Sequence, residues 1–154
     1  MEISRKKGIR CIIYLFIFYC VVLFYFFFAN KHIYNLLFVE YVEQSINLIP
    51  LRGIMKYINL INNHQINVDI FIKNLCGNFF AFLPMGFLLP YIFKQFHSCW
   101  KLLFTVFIIR ILIDCTQLFL RIGKVDIDFI IISMVGTLVG YGILKILSIK
   151  QTSE

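Results

Sequence analysis

Arg110, Asp114 and Gln117 stand inside a long apolar stretch, and Asp126 follows just past its end. On a helix, Arg110 and Asp114 are one turn apart and Gln117 lies three residues further on, so all three share a face. A cation and an anion at this spacing form either a neutralising pair or the floor of a polar site. In hydrocarbon each ionisable side chain costs about 2.5–3.5 kcal/mol on insertion scales, so the stripe is a candidate functional site. Asn78 and Asp128 belong to the same candidate set, which reads as a ligand-binding constellation: Asn78, Arg110, Asp114, Gln117, Asp126 and Asp128. Each also has a plainer role open to it. Arg110 and Asp114 could serve only to fix packing, Asp126 or Asp128 could cap the helix that follows, and Asn78 and Gln117 could bond between helices.

Composition says what must position these groups. Of 154 residues, 60% are hydrophobic and 18% aromatic, and mean hydropathy is +0.85. Soluble domains average about 45–50% apolar residues. Here the excess falls in four blocks, at about 9–29, 75–93, 100–120 and 127–148. Each approaches the roughly 20 residues that cross a hydrocarbon core, and backbone pairing in that core requires helices. The fold class is therefore an all-α membrane protein with four transmembrane helices, forming one domain over residues 1–154. The first block lacks the short apolar core and small-residue cleavage site of a signal peptide and reads as an uncleaved span.

Flanking charges set an orientation. With the N-terminus inside, the cytoplasmic side holds Arg5, Lys6, Lys7, Arg10, Lys94, Lys101, Lys145 and Lys150. The outside holds Lys31, Arg52, Lys56, Lys73, Arg121 and Lys124. The dense first cluster favours a cell-membrane protein with both termini cytoplasmic. Asn78, Asp114, Gln117, Asp126 and Asp128 then converge on the outer half. Between the first two spans, Ile54, Tyr57, Ile58 and Ile61 recur at helical spacing after Pro50. This predicts one short interfacial helix, with Pro50 in its first turn and Asn62-Asn63-His64-Gln65 as the turn behind it.

Other chemistry finds little footing. His32, His64 and His97 lie far apart and outside any metal-ligand spacing, so no metal or cofactor is expected. Cys11, Cys20, Cys76, Cys99 and Cys115 form no CxxC pair and read as small packed hydrophobes. No nucleophile elbow or phosphate loop occurs. The net charge of +7 fits cytoplasmic loops and anionic lipid rather than nucleic acid. Gly136 and Gly140 form a GxxxG for close packing, within the bundle or between protomers of a homo-oligomer.

Three blocks together resemble the VanZ-like family. They are Ser45-Ile46-Asn47-Leu48-Ile49-Pro50; the stretch from Asn78 through Phe82, Pro84, Gly86 and Phe87 to Pro90; and Asp114-x2-Gln117 followed by Gly123, Asp126-Ile127-Asp128 and Gly136-x3-Gly140-Tyr141. The family usually has Glu at Asp114, a second acid at Phe129 and Asn at Ser133. Pro84 and Gly86 join Gly136 and Gly140 as expected packing positions. The resemblance implies a small integral membrane protein associated with low-level resistance to teicoplanin, a glycopeptide that acts on lipid-linked cell-wall precursor. The expected partners are the bilayer and an amphiphilic glycopeptide or lipid-linked precursor, bound without covalent chemistry. Two alternatives stand beside this: a membrane enzyme using carboxylates as acid and base on a lipid-linked or lipopeptide substrate, and a structural scaffold joined through Gly136 and Gly140.

Overall fold

The computed structural model describes residues 2–29 and 37–152, so Lys31 and His32 lie outside the described residues. Among the described residues six α-helices follow one another: α1 (Glu2–Phe28), α2 (Phe38–Ser45), α3 (Arg52–Asn62), α4 (Val68–Ile92), α5 (Cys99–Phe119) and α6 (Ile127–Thr152). A 3-10 turn, Lys94–His97, links α4 to α5. Two-residue strands β1 (Ile46–Asn47) and β2 (Val125–Asp126) pair in parallel, Ile46 with Val125 and Asn47 with Asp126.

Arg10–Phe28 of α1, then α4, α5 and Ile127–Ser148 of α6, are long and apolar enough to cross a membrane. The expected all-α, four-span architecture is the one observed. Three details differ. First, α4 starts at Val68, seven residues before the expected 75. Asp69 and Lys73 dilute hydropathy there, yet Asp69 suits the first turn of a helix, where a carboxylate meets the positive end of the dipole. Second, the first connection holds two helices rather than one. The extra helix, α2, has only eight residues, with Tyr41 and Ser45 as its buried positions. At that length an amphipathic pattern covers barely two turns, too short a window to read as a helix from sequence. Third, Pro50 precedes α3 instead of occupying its first turn, and the inward face comprises Gly53, Ile54, Tyr57, Leu60 and Ile61, with Ile58 exposed. The Asn62–Gln65 turn is as expected. His64 takes a left-handed backbone and the chain reverses with His64 N–H donating to the Ile61 carbonyl and Gln65 N–H to that of Leu60.

The bundle is built around α4 and α6, which make its most extensive contact. Gly136 lies against the Phe79 carbonyl and Gly140 against that of Leu83. The contacts advance by four residues in both helices, so α4 and α6 run in the same direction and α5 returns between them. Gly86 meets the Thr137 carbonyl. This places the GxxxG within the bundle, and its face is filled by α4 rather than free for another protomer. Small residues at the seam let two backbones approach closely, which is how helices gain packing energy where lipid is as apolar as Leu. Ser133 and Thr137 also lie buried there, their hydroxyls donating to Phe129 and Ser133 carbonyls of their own helix at 2.8 and 2.9 Å. Pro84 and Pro90 stand inside α4, each removing one backbone N–H from a helix whose register against α6 is held by the glycines.

The core comprises Phe27, Phe82, Met85, Leu89, Leu102, Val106 and Tyr141. Helix α1 attaches more lightly, through Phe27 and through the Tyr19 hydroxyl, which donates to the Ala81 carbonyl at 2.6 Å. Because a Cβ at Gly86 or Gly140 collides with backbone of the facing helix, Gly86→Ala and Gly140→Ala are expected to cost about 1–3 kcal/mol of stability. Gly142→Ala, with nothing within 4 Å, is expected to be neutral or to stabilise by up to about 1 kcal/mol. Thermal unfolding of the detergent-solubilised protein, compared across the three variants, checks this.

Candidate functional site

On α5, the Arg110 Nη1 and Asp114 Oδ1 atoms lie 2.5 Å apart, with side chains 4% and 0% exposed. The guanidinium carbon stands 4.8 Å from the centre of the Phe27 ring, so the cation is flanked by a carboxylate and an aromatic face. One turn further on, Gln117 Nε2 donates to the Phe27 carbonyl at 2.6 Å. That carbonyl belongs to the last turn of α1, where helices have no internal donor left. Gln117 thus ties α1 to α5 by satisfying an orphan acceptor. Helix α5 then closes in a Schellman turn. Arg121 is left-handed (φ 57°), its N–H donates to the Leu118 carbonyl, and that of Ile122 donates to the Gln117 carbonyl. The turn delivers Gly123 onto the Gln117 side chain, where a Cβ would not fit. Tyr41 of α2 grips this glycine from the other side: its hydroxyl donates to the Gly123 carbonyl and accepts from the Gly123 N–H.

Asp126 and Asp128 attach the first connection to the bundle. Asp126 Oδ1 accepts from Asn47 Nδ2 at 3.0 Å and from the Asp128 N–H at 3.1 Å. It therefore caps α6 and holds β1 at once. Asp128 serves a different helix from the one that carries it. Its two oxygens accept from the N–H groups of Leu51, at 2.6 Å, and Ile54, at 3.1 Å, capping α3 across the fold. This explains why α3 starts after Leu51 and not at Pro50. Leu51 adopts a left-handed backbone (φ 67°), which costs a non-glycine residue about 1–2 kcal/mol. Hydrogen bonds to a charged group contribute about 1.5–3 kcal/mol each, so the carboxylate outweighs the strain. Gly53 allows the approach, since a Cβ there would overlap both carboxylates. A further tie joins α3 to α4: Asn74 Nδ2 donates to the Tyr57 hydroxyl at 3.1 Å. Asn78 Nδ2 in turn donates to the Asn74 carbonyl at 2.7 Å.

The six expected site residues thus fall at one end of the bundle, beneath a cap formed by α2, β1 and α3. They are not equivalent. Asp128, although buried, has both oxygens committed to α3, and Gln117 has its amide nitrogen committed to α1. Arg110, Asp114 and Asn78 face inward with unused capacity. Among the described residues, Arg110 Nε, Asp114 Oδ2, Asn78 Oδ1 and Asn47 Oδ1 are buried without a hydrogen-bond partner in the protein. Such atoms are rare in folded proteins because each forfeits its hydration. The set holds three carboxylates against one guanidinium. Burial raises the Asp126 carboxyl above its usual range, against the opposing pull of its hydrogen bonds from Asp128 and Asn47 and of the Arg110 charge. No group of three His, Cys, Asp or Glu residues that could hold a metal occurs among the described residues.

Tyr41, Asn47, Gly53 and Phe27 take part in the site without having stood out in sequence as site residues. Asn47 and Gly123 lie inside the quoted sequence blocks, so a signal existed for the strand pairing. Phe27 contributes a backbone carbonyl and a ring, which no side-chain pattern announces.

The family model described as VanZ/LLP1 matches residues 14–148. The chain belongs to the VanZ/LLP1 family. In this VanZ/LLP1 protein the matched region takes in the four apolar helices' shared core, the cap and every residue of the polar set. No curated protein and no solved structure compared with the chain gave a match.

Removing one member of a buried ion pair leaves the other charged and unpaired, whereas replacing both by apolar groups is often neutral. Asp114→Ala is therefore expected to destabilise by about 3–5 kcal/mol, and the Arg110→Met/Asp114→Leu double variant to unfold close to wild type. Chemical denaturation in detergent separates the two, and a double variant as weak as Asp114→Ala would contradict the ion-pair reading.

Proposed function

We propose that this VanZ/LLP1 membrane protein modulates susceptibility to glycopeptides of the teicoplanin kind, by binding an amphiphilic envelope molecule non-covalently at the capped end. The observation that carries this reading is the group of buried polar atoms left without protein partners at the capped end, on Asn47 of the cap and on Asn78, Arg110 and Asp114 beneath it. A bundle that needed polar residues only as packing glue would satisfy them from within, as Ser133, Thr137 and Gln117 are satisfied. The surplus of carboxylates favours a ligand that presents a cationic or hydrogen-bond-donating group to Asp114 and Asn78, with its apolar part along the helices. With both termini inside, the capped end faces the exterior, where glycopeptides and lipid-linked precursors meet the membrane. Acid–base catalysis by Asp126 and Asp128 has less support, because Asp128 already accepts two backbone hydrogen bonds and Asp126 holds the start of α6.

Expression in a susceptible host tests the proposal. Wild type is expected to raise teicoplanin tolerance more than vancomycin tolerance. The Arg110→Met/Asp114→Leu variant, at equal membrane abundance, is expected to lose that gain. Full tolerance with the double variant would remove the site from the function.

A further inference from the structure

At the opposite end from the cap, a half-open cleft of about 510 Å³ lies between the C-terminal halves of α4 and α6. Phe87, Pro90 and Tyr91 line it from α4, and Tyr141, Leu144 and Lys145 line it from α6. His97 of the 3-10 turn closes one side, and its carbonyl accepts the Tyr141 hydroxyl, which fixes the turn against α6. The cleft plays no part in the polar network described above.

Its chemistry is two-sided. The walls are aromatic and aliphatic, on helices apolar enough to span a membrane. The rim is basic. Lys145 is exposed, with its ammonium held 5.0 Å from the centre of the Tyr141 ring. Lys94, His97 and Lys101 are exposed at the same end, on the turn and the start of α5. No Asp or Glu falls among residues 91–101 or 141–148, the two stretches that carry these cations. Exposed Trp100 and Tyr91 mark the level at which amphipathic rings sit at a membrane–water boundary.

We propose that this cleft is a binding site for one anionic phospholipid of the surrounding leaflet. An acyl chain lies along Phe87, Leu144 and Tyr91, and the headgroup phosphate is met by Lys145 with His97 beside it. Charge complementarity selects the occupant: a neutral lipid would fill the apolar walls equally well but leave the basic rim unanswered. Basic pockets between spanning helices bind anionic headgroups on this principle, and each nearby Lys strengthens attraction to an anionic surface. Lys145 is suited to the task because its ammonium already stands at the cleft, 5.0 Å from the Tyr141 ring that lines it.

Native mass spectrometry of the purified full-length protein, titrated with phosphatidylglycerol and with phosphatidylcholine of the same chain length, tests this. A saturable first phosphatidylglycerol is expected, bound more tightly than phosphatidylcholine. Lys145→Gln is expected to weaken that first phosphatidylglycerol about fivefold, and Leu144→Trp to block it by filling the cleft. Lys73→Gln makes the same charge change in the first turns of α4, at the capped end, and is expected to leave it unchanged. Equal binding of the two lipids, or equal losses in Lys145→Gln and Lys73→Gln, would overturn the proposal. So would a second copy of the chain occupying the cleft, seen as a dimer that Leu144→Trp dissociates.

Discussion

A guanidinium and a carboxylate held 2.5 Å apart inside an apolar bundle impose the constraint around which the capped end is arranged. Neither charge can be taken from water cheaply, and their mutual attraction offsets part of that cost, with an aromatic face beside the cation adding to it. Phe27 supplies the aromatic face, and its position depends on Gln117 catching the carbonyl at the end of α1. Position Gln117 depends in turn on the Schellman turn and on Gly123, which Tyr41 grips from α2. The ion pair, the end of α1, the turn after α5 and the first helix of the cap therefore form one connected piece of structure.

A second set of carboxylates performs a different task with the same chemistry. Asp126 and Asp128 are two residues apart on one chain segment, yet each organises a different partner. Asp126 closes the start of α6 and holds Asn47, while Asp128 reaches across to start α3 and stabilises the left-handed Leu51. Gly53 is the residue that makes room for both. The cap is consequently fastened to the same short stretch that begins the last spanning helix.

The parts of this arrangement differ in how far sequence alone disclosed them. The spans were legible because twenty apolar residues have few alternatives, and the Arg110–Asp114 pair because its spacing is local to one helix. The α4–α6 seam was half legible: Gly136 and Gly140 declared close packing, but only the contacts with Phe79 and Leu83 decided which helix they meet. The cap was the least legible. The bond from Leu51 to Asp128 spans 77 positions and that from Tyr41 to Gly123 spans 82, so no periodicity connects them. Helix α2 has only eight residues, too few for its apolar spacing to stand out from a loop. Division of labour among the acids was equally hidden, since Asp114, Asp126 and Asp128 look alike until their hydrogen bonds are known.

What remains distinctive about the capped end is that it is thoroughly fastened on its outside and incompletely satisfied within. Asn78, Arg110 and Asp114 retain hydrogen-bonding capacity in a place where such capacity is costly. Direct calorimetric titration of the purified protein in detergent with teicoplanin tests whether that capacity is used. Saturable binding by wild type, lost in the Arg110→Met/Asp114→Leu variant while the variant remains folded, is the expected result. Equal binding by the two proteins, or no binding by wild type, would contradict it.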